Sequence, residues 1–233
     1  MSEIEFKKRI SKIFLTSIKQ NVDFDFFIER IIEWIAEQKT DLDWYNWLVD
    51  EQQSLFLKII HIYSITIFET FNQDFFKAID KVKTLPNKNV TTTPKKILKF
   101  FQNNFQINLE REFNLWDVLK ESICRRNVII HKMGRIDKIY QDCINSKLDI
   151  LDKMIGSNIP HDINYVKLSN HNIAHYTIFT FKKVTQFYNL TDIDSIIKKL
   201  AEHPHYHDVN PNLLNDEGYF FQYRIEIKDE DKD

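Results

Sequence analysis

Glycine and proline are scarce in this chain, which has three glycines and five prolines among its 233 residues. A phosphate-binding loop and the nucleophile elbow of serine hydrolases both need glycines at fixed positions. The sequence has neither pattern, and three glycines leave little room for one. The shortage of turn-forming residues also predicts long helices joined by few tight turns.

Cysteine is scarce as well, and the two that are present, Cys124 and Cys143, lack the spacing of a metal site. The first residues are charged and contain no apolar signal core. The longest apolar stretch, Ile59–Phe68, is too short to span a bilayer. We therefore expect a soluble cytoplasmic protein with reduced thiols and no membrane association.

Neither charge sign dominates, because 32 lysines and arginines face 34 acids and give a formal net charge of −2. A protein that coats nucleic acid nonspecifically is usually basic, so that class is disfavoured. Basic residues do cluster between 125 and 138, where Asp137 is the only acid. This local patch comprises Arg125, Arg126, Lys132, Arg135 and Lys138. We interpret a second basic group, Lys95, Lys96 and Lys99, as solvated helix surface.

Apolar residues are abundant, at 43% of the chain with 19 phenylalanines, and their spacing is helical. We predict an all-α fold, an antiparallel helical bundle. Thr93 and Pro94 are typical of the N-cap and first position of a helix. Asp23 or a neighbour is expected to cap the second helix. The predicted helices cover residues 3–20, 23–38, 51–82, 94–103, 113–132, 135–154, 164–187 and 191–202.

Three parts of the chain are predicted to differ in organisation. Residues 1–44 form an N-terminal helical appendage, 45–187 the main helical domain, and 188–233 a C-terminal helix and tail. Within this tail, 218–228 alternates enough for a strand or an extended segment. The last six residues are mostly charged and are expected to be disordered.

The most informative segment is Arg125–Gly134, which reads RRNVIIHKMG and ends the predicted helix 113–132. Gly134 is at the position of a left-handed cap, so His131 falls in the last turn, where the helix dipole favours a cation. An arginine can neutralise a phosphate, and a histidine can transfer protons near neutral pH. These residue types are sufficient for metal-free cleavage of RNA.

Helical geometry divides these side chains between two flanks. Lys120, Asn127 and His131 line one flank, with Cys124 near them. Arg126 and His131 are five residues apart, or about 140° around an ideal helix. They meet only if the length of the arginine, a frayed last turn or a second subunit brings them together.

The Arg-Asn-x-x-x-His pattern at Arg126–His131 resembles the motif of HEPN domains, an all-helical family that includes many toxin and phage-defence ribonucleases. The resemblance covers about residues 45 to 185. It also includes Phe68-Glu69-Thr70-Phe71 in the central helix. Further similarities are Phe105–Leu109, Trp116, Gly134–Asp137, Tyr140, Gly156, Ile159 and Tyr165.

The resemblance implies a metal-independent endoribonuclease that forms a homodimer with two facing motifs. It implies catalytic roles for Arg126, Asn127 and His131, with Glu69 and Arg125 in support. We expect RNA to contact Lys120, Lys132, Arg135 and Lys138. No metal or cofactor is implied, and an inhibitory antitoxin is a further expected partner. Some HEPN domains instead bind ligands or partners without activity.

Glu69 is informative without the family, because it is the only acid in the mostly aliphatic or aromatic run from Leu55 to Phe71. A carboxylate in a buried helix needs a cation. Arg126 or Arg125 is the expected partner, and a surface lysine is the alternative. In the simplest case, this ion pair only stabilises a structural helical domain.

Two histidine groups raise the question of a metal. His203, His205, His207 and Asp208 form a compact cluster whose alternate histidines suit Zn²⁺ or Ni²⁺. However, Pro204 interrupts it, and we interpret it as an exposed loop. His171 and His175 have the spacing of a zinc-binding helix, but Asn172 follows His171 where a metalloprotease has glutamate. We interpret these two as surface or dimer-contact residues.

Overall fold

All regular secondary structure in the described residues is helical, which confirms the all-α prediction. A computed structural model describes residues 3–40, 42–82, 93–143, 155–159 and 161–188. These residues belong to the first of two units into which the chain divides, Met1–Tyr188 and Asn189–Asp233. The predictions for 191–202, for 218–228 and for the charged tail lie outside the described residues.

Three long helices form the framework. They are α1 (Glu3–Glu37), α2 (Asp43–Val82) and α7 (Ile163–Phe187), and each packs against the other two. The helix α5 (Trp116–Lys132) packs against both α2 and α7. The helix α2 is therefore central, as predicted for the segment that contains Glu69. A turn joins α1 to α2, and the domain boundary at residue 44 stays a prediction.

The prediction of two helices over 3–20 and 23–38 is wrong, because α1 is continuous. Asp23 does not cap a second helix but forms an exposed ion pair with Lys19, one turn earlier, at 2.7 Å. Asn21 donates its side-chain amide to the carbonyl of Ser17 at 2.9 Å. The ion pair has the i,i+4 spacing that stabilises a continuing helix, and the Asn21 bond returns to a backbone carbonyl one turn earlier in the same helix.

The turn between α1 and α2 exposes several large apolar side chains. Trp34 is 47% exposed, Trp44 66% and Trp47 64%, whereas Trp116 on α5 is buried at 1%. The turn is closed locally, since Asn46 bonds both the N–H and the carbonyl of Thr40. Three of the four tryptophans of the chain therefore lie on the outside, at one end of the helical hairpin.

The helix α3 (Pro94–Phe105) begins at the predicted Thr93–Pro94 pair and extends two residues beyond the predicted end. The Thr93 side chain makes no capping hydrogen bond. Aromatic rings attach α3 to α2, and the Phe76 and Phe100 rings stack at 3.7 Å between centroids. The short helix α4 (Leu109–Glu112) then leads into α5, which starts at Trp116 rather than at the predicted residue 113.

The helix α6 (Lys138–Cys143) occupies only part of the predicted helix 135–154. Residues 135–137 are not helical, because their backbone pairs with the connector 155–159 through an antiparallel bridge from Arg135 to Asn158. Residues 144–154 lie outside the described ranges.

By length and composition alone, α2 over Asp43–Ile79 is long and apolar enough to cross a membrane. The core helix of a soluble protein has the same properties. The sequence analysis considered only Ile59–Phe68 and found that stretch too short to span a bilayer. The complete helix is long enough, so that expectation is corrected. Cytoplasmic localisation stays a prediction.

Candidate functional site

The motif helix α5 ends in a left-handed cap, with Met133 at the C-cap position and the predicted Gly134 directly after it. Met133 has φ 54° and Gly134 has φ 79°, and the Gly134 N–H donates to the carbonyl of Val128 at 3.1 Å. The Met133 N–H donates to the same carbonyl, so the helix end is closed on Val128. His131 consequently lies in a fully formed last turn.

The backbone after this cap is held by the connector 155–159. The Ile159 N–H donates to the Gly134 carbonyl at 2.8 Å, and Ile136 exchanges bonds with Ser157 and Gly156 at 2.9 and 2.8 Å. Ile136 and Ile159 also pack in one apolar cluster with Val128 of α5. The end of α5 is therefore fixed from two sides.

Glu69 pairs with Arg126, as predicted. The Arg126 Nη2 donates to Glu69 Oε1, and the two side chains are 15% and 28% exposed. The alternatives in which Glu69 pairs with Arg125 or with a surface lysine are wrong. This ion pair links α5 to the central helix α2 at the edge of the core, where a guanidinium is positioned but not sealed from solvent.

Asn127 and His131 are exposed and lie one turn apart on the same flank of α5. Because α5 is regular through Lys132, the last turn is not frayed. The Arg126 and His131 side chains therefore leave the helix about 140° apart. The sequence analysis gave three ways to bring them together: the length of the arginine, a frayed last turn or a second subunit. The last turn is not frayed, and the contact with Glu69 directs the Arg126 side chain toward α2.

The basic patch is weaker than the sequence predicts. Lys132 lies 3.8 Å from Asp137, and Lys138 lies 3.1 Å from Asp142, so acids offset two of its charges. Arg135 is exposed, and Lys120 is half-buried on the Asn127–His131 flank. Contacts of these residues with RNA stay a prediction.

Arg125 does not belong to this patch, because its side chain is 1% exposed. Its Nε donates to Glu121 Oε1 at 2.8 Å, and its guanidinium lies 3.6 Å from the centre of the Tyr165 ring. Burial acts to lower the pKa of Arg125, but Tyr165 and Glu121 outweigh it and hold that pKa above its usual range. Arg125 is thus a structural cation of the core.

Glu121 is the centre of this buried network and was not predicted. It is 1% exposed and accepts hydrogen bonds from the hydroxyls of Tyr140 and Tyr165 as well as from Arg125. Burial and the nearby Glu121 carboxylate raise the pKa of both tyrosines. The i,i+4 spacing of Glu121 and Arg125 was visible in the sequence, whereas the tyrosines join only through the fold.

Two histidines extend the network beneath α5. His61 Nε2 lies 3.0 Å from the carbonyl of Ser122, and His161 Nε2 lies 3.0 Å from that of Leu57. Their rings are 5.1 Å apart. Burial lowers the pKa of His161 to about 4 and lowers the pKa of His61 well below its usual value. Both are therefore neutral at pH 7.

This buried network determines how α5 is rotated. Arg125 and Glu121 face inward toward α7, so Arg126 faces α2 and Asn127 faces solvent. The predicted site residues thus face three directions: Arg125 lies in the core, Arg126 faces α2, and Asn127 and His131 face solvent.

The expectation of reduced thiols is contradicted, because the sulfurs of Cys124 and Cys143 are bonded as a disulfide. Their Cα atoms are 6.6 Å apart, within the range of disulfides. Tyr140, bonded to Glu121, holds α6 against α5 and so brings the two cysteines together.

Within the described residues, no group of three or more histidine, cysteine or acidic side chains could hold a metal ion. His171 and His175 are half-buried rather than on the surface, and His171 Nε2 lies 3.8 Å from Asp25 on α1. The cluster of His203, His205, His207 and Asp208 lies outside the described residues.

Comparison with known proteins adds no relative. No protein-family model matches this chain, and no curated protein or solved structure matches it either.

Proposed function

We propose that this protein is a metal-independent endoribonuclease whose site lies at the C-terminal end of α5. The observation that carries the proposal is the Arg126–Glu69 ion pair at the edge of the core, beside the exposed Asn127 and His131. A cation for the phosphate and a group for proton transfer are thereby presented at one helix end.

In the proposed reaction, the 2′-hydroxyl of RNA attacks the adjacent phosphate, and the bond from phosphorus to the 5′-oxygen breaks. His131 accepts or donates a proton in this exchange, while Arg126 stabilises the charge on the phosphoryl oxygens. Asn127 orients His131 or the phosphate, and Glu69 orients Arg126. The products are a 2′,3′-cyclic phosphate and a 5′-hydroxyl.

A homodimer would complete this site, because Arg126 and His131 of one chain diverge. Three apolar side chains at the motif end support such an interface. Ile130 is 45% exposed, Met133 90% and Ile139 76%. If a second copy covers them, His131 of one subunit approaches Arg126 of the other. Roles in toxin–antitoxin systems or anti-phage defence, with an antitoxin as partner, follow from the resemblance to HEPN domains alone.

The test is incubation of the purified chain with mixed RNA in EDTA, followed by mapping of product ends. Wild type should leave cyclic phosphates. The cleavage rate of His131→Ala should be lower by a factor of about 100 or more. Arg30→Ala, which removes an arginine that is 83% exposed on α1, should cut normally. Loss of wild-type cleavage in EDTA, or full activity of His131→Ala, would contradict the proposal.

A second candidate is a non-catalytic module that binds a nucleotide or a partner protein. The same ion pair favours it, because Glu69 offsets the charge of Arg126 and leaves a neutral, hydrogen-bonding surface. In that case His131→Ala weakens a ligand or partner, and no variant cuts RNA.

A further inference from the structure

The outer side of α2 carries no exposed charge for about four helical turns. The residues exposed there between positions 52 and 66 recur every three or four residues. This outer stripe consists of Gln52, Leu55, Ile59, Tyr63 and Thr66. Lys58, which is half-buried, is the only lysine, arginine or acid between Gln52 and Phe68. A helix side in contact with water normally carries charges, so the outer stripe has the composition of a packing surface.

Two aromatic side chains of α1 extend the outer stripe. The Phe24 ring lies 4.8 Å from the Tyr63 ring and 5.9 Å from the Phe27 ring, measured between centroids. The Trp34 ring lies 6.2 Å from the ring of Phe56 on α2. Phe27 is 52% exposed and Trp34 is 47% exposed. Because they are seven residues apart, both lie along the side of α1 that borders the outer stripe.

The exposed apolar area is close to what one side of a protein interface needs. Leu55 is 60% exposed, and Ile59 and Tyr63 are each 52% exposed. Together with Phe27 and Trp34, these half-exposed side chains present roughly 500 Å² of apolar surface, at about 100 Å² each. A typical interface buries about 800 Å² on each partner, and slightly more than half of that area is apolar. A patch of this size commonly marks an interaction site.

The order of residues in the outer stripe indicates what covers it. Gln52 and Thr66 each lie seven residues from Ile59, and Leu55 and Tyr63 each lie four residues from it. The stripe therefore matches itself when a second α2 runs in the opposite direction, because Ile59 meets Ile59 and Leu55 meets Tyr63. Gln52 of one copy then lies opposite Thr66 of the other. We propose that the outer stripe binds a second copy of this chain in antiparallel orientation, with Ile59 at the two-fold axis.

Lys58 weakens this association. A two-fold axis relates equal flanks of the two α2 helices, so the Lys58 ammonium groups of the two copies lie on the same side of the contact. Like charges at such positions oppose association. We expect a Kd of about 10 µM, at the weak end for an interface of this size. Added salt should strengthen the association, because it screens the two charges.

This interface is separate from the dimer contact proposed for RNA cleavage. It lies on α1 and α2, whereas Ile130, Met133 and Ile139 lie at the end of α5 and on α6. At about 1 µM the α2 contact is mostly dissociated, so assembly through the motif end is observed by itself. At about 100 µM the α2 contact forms and doubles the mass, whether a monomer becomes a dimer or a dimer becomes a tetramer.

Sedimentation of the full chain at about 1 µM and about 100 µM tests the interface. The weight-average mass of wild type should increase about twofold between these concentrations. Ile59→Asp should abolish the increase, because it places two carboxylates against each other at the axis. Phe26→Asp is the matched control, since Phe26 is 47% exposed but lies about 100° around α1 from Phe27. Its mass should increase as in wild type, and circular dichroism verifies that both variants are folded.

Cysteine cross-linking tests the antiparallel orientation. Under oxidation at about 100 µM, Ile59→Cys should form a covalent dimer, whereas Leu55→Cys alone should not. A mixture of Leu55→Cys and Tyr63→Cys should form mixed dimers. The native cysteines are bonded to each other and do not compete. Met133→Asp should leave the Ile59→Cys cross-link intact, so failure of the motif-end dimer is distinguished from failure of this interface.

A wild-type mass that does not increase with concentration overturns the proposal, as does an increase that Ile59→Asp retains. Faster cross-linking of Leu55→Cys than of Ile59→Cys overturns the antiparallel orientation. If wild type does not self-associate but sediments with phosphatidylcholine vesicles, the outer stripe faces lipid and the proposal is wrong.

Discussion

Arg125 and Arg126 are neighbours in sequence but lie in different environments. Helical geometry separates them by about 100°, so Arg125 enters the core and Arg126 reaches its edge. Arg125 is 1% exposed beside Glu121, whereas Arg126 is 15% exposed beside Glu69. Each therefore serves as the matched control for the other.

Replacement of the two arginines should separate stability from function. Arg125→Ala leaves Glu121 buried without its cation and should cost about 3–5 kcal/mol of unfolding free energy. Arg126→Ala breaks a less buried pair and should cost roughly 1–2 kcal/mol. Chemical denaturation followed by circular dichroism measures both.

RNA cleavage should show the opposite order. Arg126→Ala should slow cleavage about 100-fold, measured below the unfolding transition, because it removes the phosphate cation. Arg125→Ala, while folded, should retain much more activity. If Arg126→Ala loses only stability and wild type cuts no RNA, the pair is merely structural.

The buried histidines predict a pH dependence of stability. In the unfolded chain His161 titrates near its ordinary pKa of 6.5, whereas in the folded chain its pKa is about 4. The unfolded state therefore binds more protons in this window, so stability falls as the pH decreases from 6.5 toward 4. One pKa unit corresponds to about 1.4 kcal/mol, so His161 should contribute a loss of about 2–3 kcal/mol.

His161→Gln isolates this contribution, because glutamine can bond the Leu57 carbonyl without titrating. Denaturation midpoints of wild type and variant at pH 7 and pH 4.5 are compared. The wild type should lose more stability, since the other titrating groups are common to both. Parallel losses would show that His161 is not responsible.

The Arg126–Glu69 pair could be predicted because a single acid in an apolar run demands a cation. The Glu121 network could not, because Tyr140 and Tyr165 reach it from 19 and 44 residues away. Arg125 was placed in the basic patch for the same reason: the ring of Tyr165, against which its guanidinium is buried, comes from a distant part of the sequence.

At the scale of elements, the cap of α5 holds the end of the motif. Gly134 has φ 79°, which costs an alanine about 1 kcal/mol relative to glycine. An added Cβ would lie 3.9 Å from Ile159 Cγ2, an ordinary contact, so the cost is conformational. Gly134→Ala should lower the free energy of unfolding by about 1 kcal/mol and Gly134→Asn by less.

Thermal unfolding measures this loss. Gly156→Ala is the control, because Gly156 has φ 90° and a Cβ there meets no atom within 4 Å. It should show a similar conformational cost in the connector 155–159, which is outside α5 itself. Unchanged stability of Gly134→Ala would mean that the cap does not depend on glycine.

Helix ends were predicted correctly where a residue with a strong capping or turn preference lies at the end. Thr93–Pro94 and Gly134 identified the start of α3 and the end of α5 correctly. The helix start predicted near Asp23 was wrong, because an aspartate that can cap a helix can also pair with a lysine within one, as Asp23 does with Lys19. The start of α6 was missed because residues 135–137 pair with a connector 20 residues later, a long-range contact without a local pattern.

At the scale of the whole molecule, the proposed site requires two chains, and complementation can test this. Arg126→Ala and His131→Ala should each be inactive alone. If each site combines Arg126 of one subunit with His131 of the other, random mixing should restore about one quarter of wild-type activity. Half of the dimers are then mixed, and each of these has one intact site.

Cleavage assays of the mixture and of a Met133→Asp variant complete the test. Met133→Asp places a charge at a side chain that is 90% exposed at the proposed interface, and should yield inactive monomers in sedimentation. No restoration by mixing, together with an active Met133→Asp monomer, would place the complete site in one chain.

The exposed tryptophans at the turn between α1 and α2 affect how this protein can be observed. Three of four indoles are at least 47% exposed, and only Trp116 on the motif helix is buried. Intrinsic fluorescence of the wild type should therefore be dominated by red-shifted emission from one end of the hairpin and should change little when the core unfolds. A chain with Trp34, Trp44 and Trp47 replaced by phenylalanine would emit from Trp116 alone, and its spectrum would follow α5 directly.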